Sequence, residues 1–120
     1  MSAKLLPLTL SSYLQGSLSP TAQDHAQATF TKMITREAGR VDFTKSALEI
    51  YNQWRAFTPW PGVWTTWQGK RLKLLRVQVV NKSLELKKVV VVDGSLFIGC
   101  GKEALLVNEL QLEEIGRAHV

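Results

Sequence analysis

Lys88-Val89-Val90-Val91-Val92-Asp93-Gly94-Ser95-Leu96-Phe97-Ile98-Gly99-Cys100 is the stretch that decides the fold. Two apolar runs flank an Asp-Gly step, and Asp-Gly supplies the left-handed backbone that a tight hairpin turn requires. The reading is two strands, Lys88 to Val92 and Leu96 to Cys100, joined at Asp93-Gly94. Upstream, Arg71 to Val80 also alternates with a period of two, but the alternation changes phase at Leu74-Leu75. A phase change inside one strand predicts a β-bulge. Val63 to Trp67 is β-branched and aromatic and reaches that strand through a Gln68-Gly69 turn; Ala104 to Leu110 is a further strand. Four or five short strands at this spacing predict a small closed or nearly closed barrel.

Before the strands the period is 3.6. Ser46-Ala47-Leu48-Glu49 fits a capping box, in which serine and glutamate satisfy each other's backbone donors. Ala47, Ile50, Tyr51, Trp54 and Phe57 then form one apolar face, and Pro59 ends the helix. This helix, about 46–57, has the apolar area to cover one side of a small sheet. Ser17 to Arg40 is polar and aperiodic and reads as a linker, with Thr29, Phe30 and Met33-Ile34 offering at most a brief extended pairing. Ala3 to Gly16 is again helical, with Leu6, Leu10, Tyr13 and Leu14 on a stripe and Leu5 and Leu8 off it. Such a helix is apolar most of the way round and wants something to pack on. Pro7 implies that it starts there, and Gly16 is its stop.

At 120 residues and 45% hydrophobic, the chain is one domain's worth of sequence. No run approaches the ~18–20 apolar residues of a membrane span, and the N-terminus is a poor signal peptide. A cytoplasmic protein is the expectation. The single cysteine, Cys100, excludes an intrachain disulfide framework and a multi-cysteine zinc site. His25 and His119 have no partner at metal-ligand spacing, so no metal is expected. Cys100, at the end of an apolar strand, reads as a buried, inert thiol. Gly99 and Gly101 open no helix and therefore form no phosphate loop. No catalytic constellation emerges.

Charge is more informative. The chain has 15 Lys+Arg against 10 Asp+Glu. Between Gly69 and Lys88 lie Lys70, Arg71, Lys73, Arg76, Lys82, Lys87 and Lys88 against one acid, Glu85, a local surplus larger than the +5 of the whole chain. The bulge puts Arg71, Lys73 and Arg76 on one face of their strand despite their odd spacing. A strip of this kind suits a sugar-phosphate backbone, read by charge and shape; the alternative is the solvated outer face of any soluble barrel. Trp54, Trp60, Trp64 and Trp67 are candidate stacking platforms for unpaired bases, but Trp54 is on the helix core face. Trp64 and Trp67 differ in parity, so at most one of them faces outward.

Arg55-Ala56-Phe57-Thr58-Pro59-Trp60-Pro61-Gly62, together with Gln23-Asp24-His25, Ala28-Thr29-Phe30, Val41-Asp42-Phe43, the later V-D-G-S-L-F-I-G-C-G hairpin and the Leu106 to Leu112 stretch, strongly resembles the C-terminal part of methionyl-tRNA formyltransferases. The resemblance runs from the helix near Ala3 to about Glu113. It implies an open Greek-key β-barrel similar to an OB-fold for residues 41–113, mainly β with one packed helix. It further implies an interdomain linker at 17–40, and at 1–16 the last helix of a catalytic domain that these 120 residues do not contain. In that family the catalytic domain transfers a formyl group from 10-formyltetrahydrofolate to methionyl-tRNA for translation initiation, and no residue here matches its catalytic motifs; Leu5-Leu6-Pro7 takes no role. The barrel contributes a positive, largely non-specific tRNA-binding surface, which assigns that role to the seven basic residues named above. Related domains in sugar-nucleotide formyltransferases and 10-formyltetrahydrofolate-hydrolysing enzymes, and a stand-alone oligonucleotide-binding module, are the alternatives. Two departures stand out: the connection from Val80 to Lys87 is short, and the family's basic C-terminal helix is not in the sequence. Residues 114–120 read as an in-frame translation of a sequencing adapter and are set apart from the fold.

Overall fold

Ser46 produces the cap that its sequence context encodes. In the computed structural model, which describes residues 2–113, the Ser46 hydroxyl accepts from the Glu49 backbone N–H at 3.2 Å, and the Ser46 N–H donates to the Glu49 carboxylate at 2.9 Å. These bonds hold the Glu49 carboxyl below its ordinary value of 4.5. Helix α2, Ala47–Phe57, follows and ends at Thr58, whose N–H bonds the Trp54 carbonyl. Ala47 and Ile50 are fully buried, and Tyr51, Trp54 and Phe57 pack against the core. Ser46→Ala should cost about 1 kcal/mol; urea denaturation followed by tryptophan fluorescence should show a lower midpoint with an unchanged slope.

Five antiparallel strands take the order β1-β2-β5-β4-β3: β1 Val63–Trp67, β2 Lys70–Val80, β3 Val89–Val92, β4 Ser95–Gly99 and β5 Ala104–Leu112. Three hairpin-connected strands with β2 returning beside β5 make a Greek key. Both two-residue turns form as the sequence predicts, with Gln68-Gly69 and Asp93-Gly94 all at positive φ. The bulge is also where it is expected: the β2–β5 register runs Leu74↔Leu110 and then Arg76↔Glu109, skipping Leu75. The Leu75 carbonyl accepts the Trp54 indole N–H at 3.2 Å, so α2 and the bulge fit each other.

Inner-face residues Val63, Leu74, Val77, Ile98, Leu105 and Val107 form the core with Ile50 and Phe43. Two expectations need correction. The sheet is not a closed barrel: among the described residues β1 and β3 do not pair, and a cavity of about 890 Å³ opens on the inner face. The polar stretch forms no strand at Thr29–Ile34; it holds two short 3₁₀ turns, His25–Gln27 and Arg36–Gly39, and Phe30 and Met33 are exposed. Isolated extended residues without a partner strand have nothing to pay for their ordering.

The chain divides into two compact units, residues 1–32 and 33–120. In the first, α1 spans Ser2–Leu14 and contains Pro7 instead of beginning at it. Ser17 and Gly16 N–H groups bond back to Ser12 and Tyr13, the Schellman closure expected of Gly16. No α1 residue is buried; Leu8 and Leu14 are among the most exposed apolar residues. Residues 114–120, read as an adapter-derived tail, lie outside the described residues.

Candidate nucleic-acid interface

β2 carries four of the seven predicted basic residues. Leu74 and Val77 point into the core, so Lys73 and Arg76 leave the opposite face, and Arg71 shares it. Cross-strand registers agree: Arg71 faces Thr66, Lys73 faces Trp64 and Gln111, and Arg76 faces Glu109. The bulge therefore aligns these three as the sequence predicts.

The three are not equivalent. Arg71 lies with its guanidinium 4.3 Å from the Trp64 ring centroid and is ion-paired with Glu113 at 3.6 Å and Glu37 at 4.0 Å. Arg76 pairs with Glu109 at 3.7 Å. Lys73 has no ion-pair partner among the described residues, and its stem runs alongside Gly62. Of the three, Lys73 alone has no acid beside it among the described residues.

The remaining four disperse. Lys82, in the β2–β3 connection, sits with its ammonium 4.2 Å from the Phe97 ring, which reaches the same outer face two strands away from β2. Lys88 pairs with Glu85 at 3.8 Å. Lys87 is in the turn that precedes β3, on the rim of the inner-face cavity, and Lys70 closes the β1–β2 hairpin opposite Trp67. The structure thus gathers Arg71, Lys73, Arg76 and Lys82 on one face and leaves Lys70, Lys87 and Lys88 elsewhere.

Arg40 was not singled out by sequence. Its guanidinium lies 5.8 Å from the Trp64 ring. The Arg36–Gly39 turn covers the same indole, whose N–H donates to the Arg36 carbonyl at 2.9 Å. Trp64 faces outward by parity yet is buried, which removes it as a stacking platform. Trp60 and Trp67 are the exposed tryptophans. No local pattern could reveal this cover, because the turn is 28 residues from the indole it caps.

Cys100 is buried and its thiol is pushed up by that burial, so the thiolate is disfavoured. His25 sits in an exposed turn capped by Asp24. Among the described residues no cluster of three or more histidine, cysteine or acidic side chains is placed to hold a metal ion. No helix among them is long and apolar enough to cross a membrane.

The described residues form an open antiparallel sheet with a basic outer strip. Residues 33–118 match the formyl transferase C-terminal domain, and the chain belongs to that family. Within it, the sequence is similar to methionyl-tRNA formyltransferases. That of Acidobacterium capsulatum is 48% identical over 116 residues, covering 94% of this chain and 37% of that protein. That of Geobacter sulfurreducens is 38% identical over 114 residues, covering 94% of this chain and 36% of that protein. The chain thus spans little more than a third of the length of these relatives. Among solved structures, HypX from Aquifex aeolicus in complex with tetrahydrofolic acid superposes with a TM-score of 0.58 at 18% identity, over 88% of this chain and 19% of that one. An N-formyltransferase from Helicobacter canadensis superposes with a TM-score of 0.58 at 14% identity, over 87% of this chain and 39% of that one. Both likenesses are of fold.

Proposed function

We propose that this chain is the tRNA-binding portion of a cytoplasmic methionyl-tRNA formyltransferase and is not catalytic alone. The observation that carries this reading is the outward alignment of Arg71, Lys73 and Arg76 across the Leu75 bulge, in a chain 48% identical to such an enzyme. Residues 41–113 act as an open, OB-like barrel presenting that strip to the tRNA backbone. Residues 17–40 are the interdomain linker, and the apolar α1 is the final helix of the catalytic domain, with its leucines facing that domain's interior. The formyl donor, 10-formyltetrahydrofolate, is a substrate of the catalytic domain; no residue of this chain is assigned to it. Binding through phosphates releases condensed counterions. Filter binding to tRNA should therefore weaken linearly on a log–log salt plot and differ little between tRNA species. A flat salt dependence, or no retention at low salt, defeats the reading.

A further inference from the structure

Pro59-Trp60-Pro61-Gly62, which links α2 to β1, is the motif that the basic strip leaves unexplained. The turn is pinned from three sides. The Gly62 N–H donates to the Phe57 carbonyl at 2.8 Å, Pro61 is buried, and Gly39 packs on the Gly62 carbonyl with no room for a Cβ. The proline rings flanking Trp60 fix φ at 59 and 61 as well. Yet the indole this turn carries is 60% exposed, the most of any tryptophan in the chain. An aromatic ring held in solvent by a fixed backbone has little freedom left to lose on binding.

Lys73 reaches the same turn from β2. Its Cε and Nζ lie 3.3 Å and 3.9 Å from where a Cβ on Gly62 would stand, and the Pro59 carbonyl is 4.0 Å from that point. The ammonium therefore sits beside the residues that bracket Trp60, and no acid among the described residues pairs with it. Trp67, the other exposed tryptophan, has inner-face parity and lines the cavity. Of the two, Trp60 alone stands beside an outward cation of the strip.

We propose that Trp60 and Lys73 hold one unpaired nucleotide of a bound RNA, its base stacked on the indole and its phosphate on the ammonium. The site rests on the tRNA reading above and gives it a second, uncharged component. A paired helix offers the phosphate but keeps its base faces within the stack. An apolar protein surface would cover the ring and leave the ammonium without a counter-charge. An unpaired nucleotide supplies both groups, and Arg71 and Arg76 continue the same path for the strand. Because every base has a π-face, such stacking separates tRNA species little; it marks where the strand is unpaired.

The test titrates the full chain with oligouridylate, with the same oligomer built of abasic nucleotides, and with a blunt RNA duplex of equal phosphate count. Oligouridylate should bind about tenfold more tightly than the abasic strand. Trp60→Ala should erase that margin while leaving the abasic and duplex affinities and the log–log salt slope unchanged, and Trp60→Phe should keep most of it. Lys73→Gln should lower the slope on oligouridylate by roughly 0.7, and the double variant should lose less than the product of the two single losses. Equal affinity for oligouridylate and the abasic strand overturns the site and leaves the ring to a protein surface. A margin that survives Trp60→Ala but vanishes in Trp67→Ala overturns it too. In both cases salt-dependent binding of tRNA keeps the tRNA reading standing, whereas loss of binding to every polymer, tRNA included, defeats both. If Trp60→Ala does not fold, Trp60→Leu, which keeps apolar bulk without a π-face, takes its place.

Discussion

Gly101→Ala should destabilise the sheet domain by about 3 kcal/mol, the upper part of the range for forced overpacking, and lower the melting temperature by roughly 10–20 °C in a domain of this size. The reason is a backbone clamp. The Gly101 N–H donates to both the Phe43 and Lys45 carbonyls at 2.9 Å, and the Ala47 N–H donates to the Lys102 carbonyl at 3.0 Å. Those bonds bind the segment leading into α2 to the β4–β5 turn. A Cβ at Gly101 would overlap the Thr44 carbonyl oxygen, a backbone atom that cannot swing aside as a side chain would. Relief requires residues 43–46 to move, which draws Phe43 from the core and loosens the start of the helix. Asp42 is drawn in as well: it accepts from the Thr44 N–H and hydroxyl, and these bonds hold its carboxyl below its ordinary value of 3.8.

Gly94→Ala is the control. Gly94 has a positive φ of 77° and nothing within 4 Å of an added Cβ, so only backbone strain is incurred, roughly 1 kcal/mol. Differential scanning calorimetry of both variants separates the two causes. Equal shifts would mean that the 43–46 segment yields freely and that the clamp is not what docks α2.

The clamp also shows where sequence reading reaches its limit. The capping box, the two glycine turns and the Leu74-Leu75 phase change were legible because each is settled by residues within a few positions of one another. Gly99-Cys100-Gly101 was read as the end of a strand around a buried thiol, and the thiol is buried. The reason for the glycines was not legible: added Cβ atoms would strike the carbonyls of Glu85 and Thr44, contacts that only the folded chain creates. The same distinction governs the basic strip. Its alignment followed from local alternation and one bulge, whereas the acids that temper it, Glu37, Glu109 and Glu113, arrive from other elements. Barrel closure is likewise a property of how edges meet, and strand count alone does not fix it.

Those acids turn the tRNA reading into an unequal one. Lys73→Gln with Arg76→Gln should weaken tRNA binding about fifty-fold at ~0.1 M salt, because two lost phosphate contacts remove roughly 1.8 from the log–log salt slope. Arg71 is left in place in this variant, since its side chain covers the Trp64 indole and its removal would disturb the turn at 36–39 as well as the charge. Glutamine is chosen over glutamate so that no new carboxylate faces Glu109. The opposite change is the sharper test. Glu109→Gln frees the Arg76 guanidinium from its partner while leaving the sheet register intact, and should tighten tRNA binding severalfold at low salt, with the gain fading as salt rises. A merely solvated face predicts no change in tRNA affinity from either variant beyond what net charge alone gives. Matched filter-binding curves for a Lys45→Gln, Lys102→Gln double, which removes the same charge away from β2, supply that baseline. If the β2 double loses no more affinity than this one, the strip is ordinary surface and tRNA is held elsewhere.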